Sequence, residues 1–133
     1  MEVTIYTDGA SRGNPGAAAI AYIICSGEKI VSRHSGTIGR ATNNEAEYRA
    51  IIAALGKAAE MKAERVVLYS DSELVVRQLI GVYRIKEKRL RELSEKVKSL
   101  EKRFKSVKYN NLRRTDKMIS FADSMVNEAL DSS

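Results

Sequence analysis

Two aspartates stand where a strand would give way to a turn or a helix. Asp8 closes Val3 to Asp8, a segment of β-branched and aromatic residues, and is followed by Gly9. Asp71 comes after the apolar run Arg65 to Tyr69 and just before a helix start at Ser72. Sheets of alternating strands and helices place ligands at the carboxyl ends of their strands. If the two strands are parallel neighbours, about 4.8 Å apart, the carboxylates come close enough to repel. At neutral pH such a pair needs a proton or a cation between its members, and hard oxygen donors suit Mg2+ or Mn2+. Each aspartate could equally cap a turn or a helix, and two residues alone do not decide.

Other carboxylates are placed to join them. Between Asn44 and Met61 apolar residues fall at Tyr48, Ile51, Ile52, Leu55, Ala58 and Ala59, the spacing of one helix face. Glu45 and Glu47 flank that stripe on opposite sides, so either could look inward over a sheet, and periodicity does not choose between them. Asp123 sits beside Ile119, Val126 and Leu130 at the margin of another apolar face. There a carboxylate either points into a cleft or marks the border between core and water. Gly9 to Gly16 reads as a glycine-rich loop, but it lacks the ending of a phosphate-binding loop and leads into a strand. Its glycines permit close backbone approach to a ligand, or simply a hairpin turn.

The elements that must hold these residues follow from period and turn chemistry. Val3 to Asp8, Ala17 to Cys25 and Lys29 to Ile38 read as strands with short connections, an antiparallel meander. After the helix from Asn44 come a strand at Arg65 to Tyr69, a short helix from Ser72 to Leu79 ended by Gly81, and an amphipathic helix from Glu87 to Phe104. A strand at Ser106 to Asn110 and a helix from Asp116 to Leu130 complete the chain. This order predicts a mixed sheet with helices packed on it. The segment Arg84 to Arg91 is strongly basic; Glu87–Arg91 and Glu92–Lys96 pairs favour a solvated helix face over a nucleic-acid contact.

The 133 residues have room for a single core, so one domain spanning 1–133 is expected. No apolar run approaches the roughly 20 residues that span a bilayer. The N-terminus shows no secretory pattern, and the lone Cys25 lies in an apolar run and has no partner for a disulfide. A cytoplasmic, monomeric protein is expected. With 23 Lys and Arg against 17 Asp and Glu the net charge is +6, which favours phosphate backbones.

Taken in order, four segments resemble type 1 ribonuclease H, in the compact form without the basic protrusion. They are Tyr-Thr-Asp-Gly-Ala-Ser-Arg-Gly-Asn-Pro-Gly (6–16), Thr-Asn-Asn-Glu-Ala-Glu-Tyr (42–48), Ser-Asp-Ser-Glu-Leu-Val (70–75) and Ala-Asp-Ser-Met-Val-Asn-Glu-Ala-Leu (122–130). The resemblance selects Glu47 over Glu45. It implies an α/β, ribonuclease H-like fold: a five-stranded mixed sheet of order 3-2-1-4-5 with helices on both faces. It implies a catalytic, metal-binding set of Asp8, Glu47, Asp71 and Asp123 holding two Mg2+ or Mn2+ ions, with Asp8 bridging both. The implied activity is hydrolysis of the RNA strand of RNA–DNA hybrids to 5′-phosphate and 3′-hydroxyl ends. Double-stranded RNA is a further candidate substrate, since both duplexes present A-like grooves. By the same resemblance the backbone at Gly9 and Ser11, with Asn14, Asn43 and Glu47, lines the RNA strand; Asn44 faces the DNA strand; and Thr42 contacts a phosphate.

The chain departs from the family pattern near its end. The stretch Tyr109 to Phe121 holds no histidine, and the only one, His34, falls in the third strand. Arg113 and Arg114 could contact a phosphate there but cannot take a proton at neutral pH. Ile119 stands where a polar residue is common. A non-catalytic module binding RNA-containing duplexes is the competing reading, and a resolvase-like DNA nuclease the third.

Overall fold

The computed structural model describes all 133 residues, Met1 to Ser133. Its strands are β1 (Glu2–Gly13), β2 (Gly16–Ser26), β3 (Lys29–Ala41), β4 (Arg65–Ser70) and β5 (Ser106–Asn111). Its helices are α1 (Asn43–Glu60), α2 (Glu73–Leu79), α3 (Lys88–Glu101) and α4 (Lys117–Asp131). The strands form one sheet of order β3-β2-β1-β4-β5. The first three pair antiparallel, whereas β4 runs parallel to both β1 and β5. The expected mixed sheet is therefore present.

Side-chain alternation along the strands divides the core into two layers. Val3, Ile5, Tyr22, Ile24, Val66 and Leu68 pack with α1, α2 and α3 on one face. Ala19, Ala21, Ile23 and Cys25 pack with Ala122, Val126 and Leu130 of α4 on the other. Cys25 is a buried structural thiol, as its apolar surroundings predicted. Ile119 is fully buried, so α4 spends that position on the core rather than on the site. No helix is long and apolar enough to cross a membrane.

Two expectations are corrected. Gly9 does not end the first strand: β1 stays paired with β2 from Thr4↔Cys25 to Gly13↔Gly16, and only Asn14 and Pro15 turn the chain. What reads as a glycine-rich loop is mostly a hairpin arm, because the small residues Ala17, Ala18 and Ala19 continue the ladder opposite it. In the basic segment neither the Glu87–Arg91 nor the Glu92–Lys96 pair forms. Arg91 instead donates to the Lys86 carbonyl at 2.7 Å, and Arg89 pairs with Glu45 at 3.4 Å. Glu87 is the cap residue of α3 with extended backbone, and it engages Arg91 only through its carbonyl, which accepts from the Arg91 N–H at 3.0 Å.

Candidate active site

The parallel ladder of β1 and β4 stops at Thr7↔Ser70. Asp8 and Asp71 are the next residue on each strand, which puts both carboxylates at the same end of the sheet. Asp8 has the parity of Tyr6 and Ala10, which face α4. Gly9 has the parity of Val3 and Ile5 and meets α1. There it has no room for a side chain: a Cβ would lie 2.2 Å from the Ala46 carbonyl oxygen and 2.7 Å from the Glu47 nitrogen. The missing side chain lets α1 settle onto the strand, and the Gly9 N–H donates to Glu47 Oε1 at 2.8 Å. The missing side chain of Gly9 thus serves the packing of a helix.

The start of α1 settles which glutamate faces inward. Thr42 caps the helix: its hydroxyl accepts from the Glu45 N–H at 3.2 Å, and Glu45 Oε1 accepts from the Thr42 N–H at 3.1 Å. This reciprocal box, together with the Arg89 ion pair, turns Glu45 away. Glu47 is left buried beside Asp8. Asp8, Glu47 and Asp71 each offer an oxygen within 4.8 Å of the others.

This arrangement costs electrostatic energy. Burial, then the charges of Asp71 and Asp123, push the Asp8 carboxyl up to about 7, against lowering by Arg114 and the Gly9 N–H. Glu47 is raised well above the ordinary carboxylate range by burial first, then by Asp8 and Asp71. Asp8 Oδ2 and Asp71 Oδ1 are buried without any hydrogen-bond partner. Buried acceptors of this kind normally find a donor. Hard, anionic oxygens converging on one space, two of them unsatisfied, are a donor set that fits Mg2+ or Mn2+. Asp123 lies outside the close trio; its Oδ2 accepts from Asn127 Nδ2 at 3.3 Å, while its charge still reaches Asp8.

A family model described as "Reverse transcriptase-like" matches residues 6–129. The chain is 42% identical to the ribonuclease HI of Halobacterium salinarum over 130 residues, 97% of this chain and 64% of that protein. The crystal structure of RNase H1 from the same archaeon matches with a TM-score of 0.95 at 41% identity, covering 100% of both chains. The chain belongs to the type 1 ribonuclease H family. The structure of LC11-RNase H1 in complex with RNA/DNA hybrid is similar too, with a TM-score of 0.91, 37% identity and coverage of 98% and 97%. Another relative is the bifunctional protein Rv2228c of Mycobacterium tuberculosis, 35% identical over 98% of this chain. The chain spans 64% of the Halobacterium protein and 36% of the mycobacterial one.

Within this ribonuclease H framework, three residues expected along the RNA strand meet at the hairpin tip. Ser11 N–H donates to Asn43 Oδ1 at 3.3 Å, and Asn43 N–H donates to Asn14 Oδ1 at 2.9 Å. Thr42 serves as the α1 cap, and the Gly9 N–H is committed to Glu47. Asn44 lies apart, in a cleft with Gln78, Tyr83, Arg84 and Lys86. His34 is exposed on the edge strand β3, two strands away from Asp8, with its ring 5.7 Å from that of Tyr22. In the loop where the family often has a histidine, Arg114 Nε donates to Asp71 Oδ2 at 3.1 Å. Sequence reasoning placed Arg114 near a phosphate and missed this contact. The only available signal was a basic residue in the loop that follows the last strand.

Proposed function

We propose that this chain is an endoribonuclease that hydrolyses the RNA strand of RNA–DNA hybrids. Two divalent ions, Mg2+ or Mn2+, are held by Asp8, Glu47, Asp71 and Asp123, and the products carry 5′-phosphate and 3′-hydroxyl ends. The observation that carries this reading is the trio Asp8, Glu47 and Asp71 at one sheet end, with two buried oxygens lacking partners. When bound, such ions supply an activated water and stabilise charge on the leaving oxygen. The chain's own part is positioning. The Gly9 N–H orients Glu47, the strand ends align Asp8 with Asp71, and α4 presents Asp123 at the rim.

Substrate choice rests on the hairpin tip. Recognition of RNA over DNA uses the 2′-hydroxyl, both donor and acceptor. The polar tip formed by Ser11, Asn14 and Asn43 adjoins the carboxylates, and a solved complex of a 37% identical relative holds an RNA/DNA hybrid. Across α1, Arg84 and Lys86 are exposed beside Asn44 without ion-pair partners, which supports contact with the DNA strand. In this reading residues 1–133 form one ribonuclease H unit acting as a cytoplasmic monomer. A purely binding module is disfavoured, because clustered carboxylates without a cation repel phosphate.

Labelled RNA–DNA, RNA–RNA and DNA–DNA duplexes and single-stranded RNA, each incubated with EDTA, Mg2+ or Mn2+, test the proposal. Cleavage of the RNA strand of the hybrid only with metal is expected. Double-stranded RNA cut under the same conditions would widen the substrate class. Hybrid binding without turnover in either metal would establish the binding module instead.

A further inference from the structure

We infer that Arg114 is an exchangeable counter-cation of Asp71, which releases that carboxylate when a divalent ion enters. This rests on the metal-holding role proposed for Asp8, Glu47 and Asp71. Arg114 lies between β5 and α4, in a loop whose stem is fixed. Leu112 N–H and Asn111 Nδ2 both donate to the Ser70 carbonyl, at 2.9 and 3.0 Å, and Asp116 caps α4 by accepting from the Met118 and Ile119 N–H groups. The side chain itself is free apart from its tip. Its Nε is 3.1 Å from Asp71 Oδ2, no other protein group accepts from the guanidinium, and the side chain is 78% exposed against 7% for Asp71.

This asymmetry defines the exchange. Asp71 is enclosed and stays, with Oδ1 unsatisfied beside the Oδ2 that Arg114 holds. Arg114 reaches in from solvent, so it can leave by side-chain rotation with no backbone movement. Its charge also acts on Asp8, where it opposes the repulsion from Asp71 and Asp123. The guanidinium is therefore a tethered monovalent cation serving the cluster that a divalent ion would serve better. Two cations cannot share Asp71 at contact distance without repelling, since salt screens charges effectively only beyond about 8–10 Å. An ion bound there displaces Arg114 to the mouth of the site, where a backbone phosphate offers it a new planar, anionic partner.

Mn2+ binding to the full chain without nucleic acid, followed by the EPR signal of the free ion, tests the exchange. Arg114→Gln should tighten Mn2+ binding about two- to fivefold, the scale of an exposed ion pair. Arg114→Lys should restore the wild-type affinity. Arg113→Gln removes the same charge from the same loop without the contact and should change affinity less than Arg114→Gln does. Equal or weaker binding by Arg114→Gln, or equal tightening by Arg113→Gln, overturns the exchange. Asp8→Asn should abolish binding; wild-type protein that binds no Mn2+, or Asp8→Asn that binds it as well, overturns the metal reading itself. A direct readout is the Arg114 Nε–H signal in 15N NMR, protected in EDTA and lost on Mg2+ saturation. Its persistence with Mg2+ bound would also overturn the exchange.

Discussion

Asp8→Asn should stabilise the metal-free protein while ending its proposed activity. Asp8 is 4% exposed, its Oδ2 has no partner, and its carboxyl is raised from 3.8 to about 7. An acid whose folded pKa is raised binds its proton more tightly when folded. Below about pH 4 both states are protonated and nothing is lost. Between about 4 and 7 the unfolded chain releases its proton first, so stability falls as pH rises, and above about 7 the loss is constant. At about 1.4 kcal/mol per unit, the shift sets a ceiling of about 4 kcal/mol at pH 8. Coupling to Glu47 and Asp71 spreads part of that energy over the trio, so about 2–4 kcal/mol is the expected gain from Asn. For a chain of this length that corresponds to a melting temperature higher by about 7–14 °C. Thermal and urea unfolding in EDTA at pH 4.5 and pH 8 would measure it: about a quarter of the gain at the lower pH, the full gain at the higher. Added Mg2+ should stabilise the wild type, by about 2.7 kcal/mol at a hundredfold excess over Kd, and leave Asp8→Asn unchanged. A variant less stable than wild type at pH 8, or equally shifted at both pH values, would refute the electrostatic account.

Gly9→Ala should be severe, because its Cβ meets the Ala46 carbonyl at 2.2 Å. Loss of at least about 2–3 kcal/mol in urea unfolding is expected, with turnover falling further as Glu47 is pushed from its place. Lys62→Gly should stabilise by about 0.5–1 kcal/mol, since Lys62 holds a left-handed φ of 60° just after α1, where glycine is favoured. His34→Ala should keep hybrid cleavage within about twofold of wild type and show no change in its pH profile, because an exposed histidine on the far edge strand has no route to the reaction.

The strands themselves and the two aspartates were legible because both depend on local pattern, apolar runs that end and acids that follow them; the order 3-2-1-4-5 came only with the resemblance to ribonuclease H. The register-matched positions of Asp8 and Asp71 then follow from the parallel pairing of β1 with β4. The choice between Glu45 and Glu47 was not legible from periodicity, since both flank the same stripe. It is decided by hydrogen bonds: the Thr42–Glu45 box claims one glutamate and the Gly9 N–H claims the other. The length of β1 was misread because glycine signals a turn only when no partner strand continues beside it. The contact of Arg114 with Asp71 joins residues 43 positions apart through a loop and leaves no periodic trace. What the chain conceals most completely is the reason for Gly9. In sequence it looks like flexibility next to a carboxylate; in the folded chain it is the absence of one carbon that lets a helix lie against a strand. Because adjacent residues point to opposite faces, that one position can hold Asp8 toward α4 while drawing Glu47 down from α1. A carboxylate site at a sheet end therefore needs both layers of the core, and neither layer alone would bring its acids together.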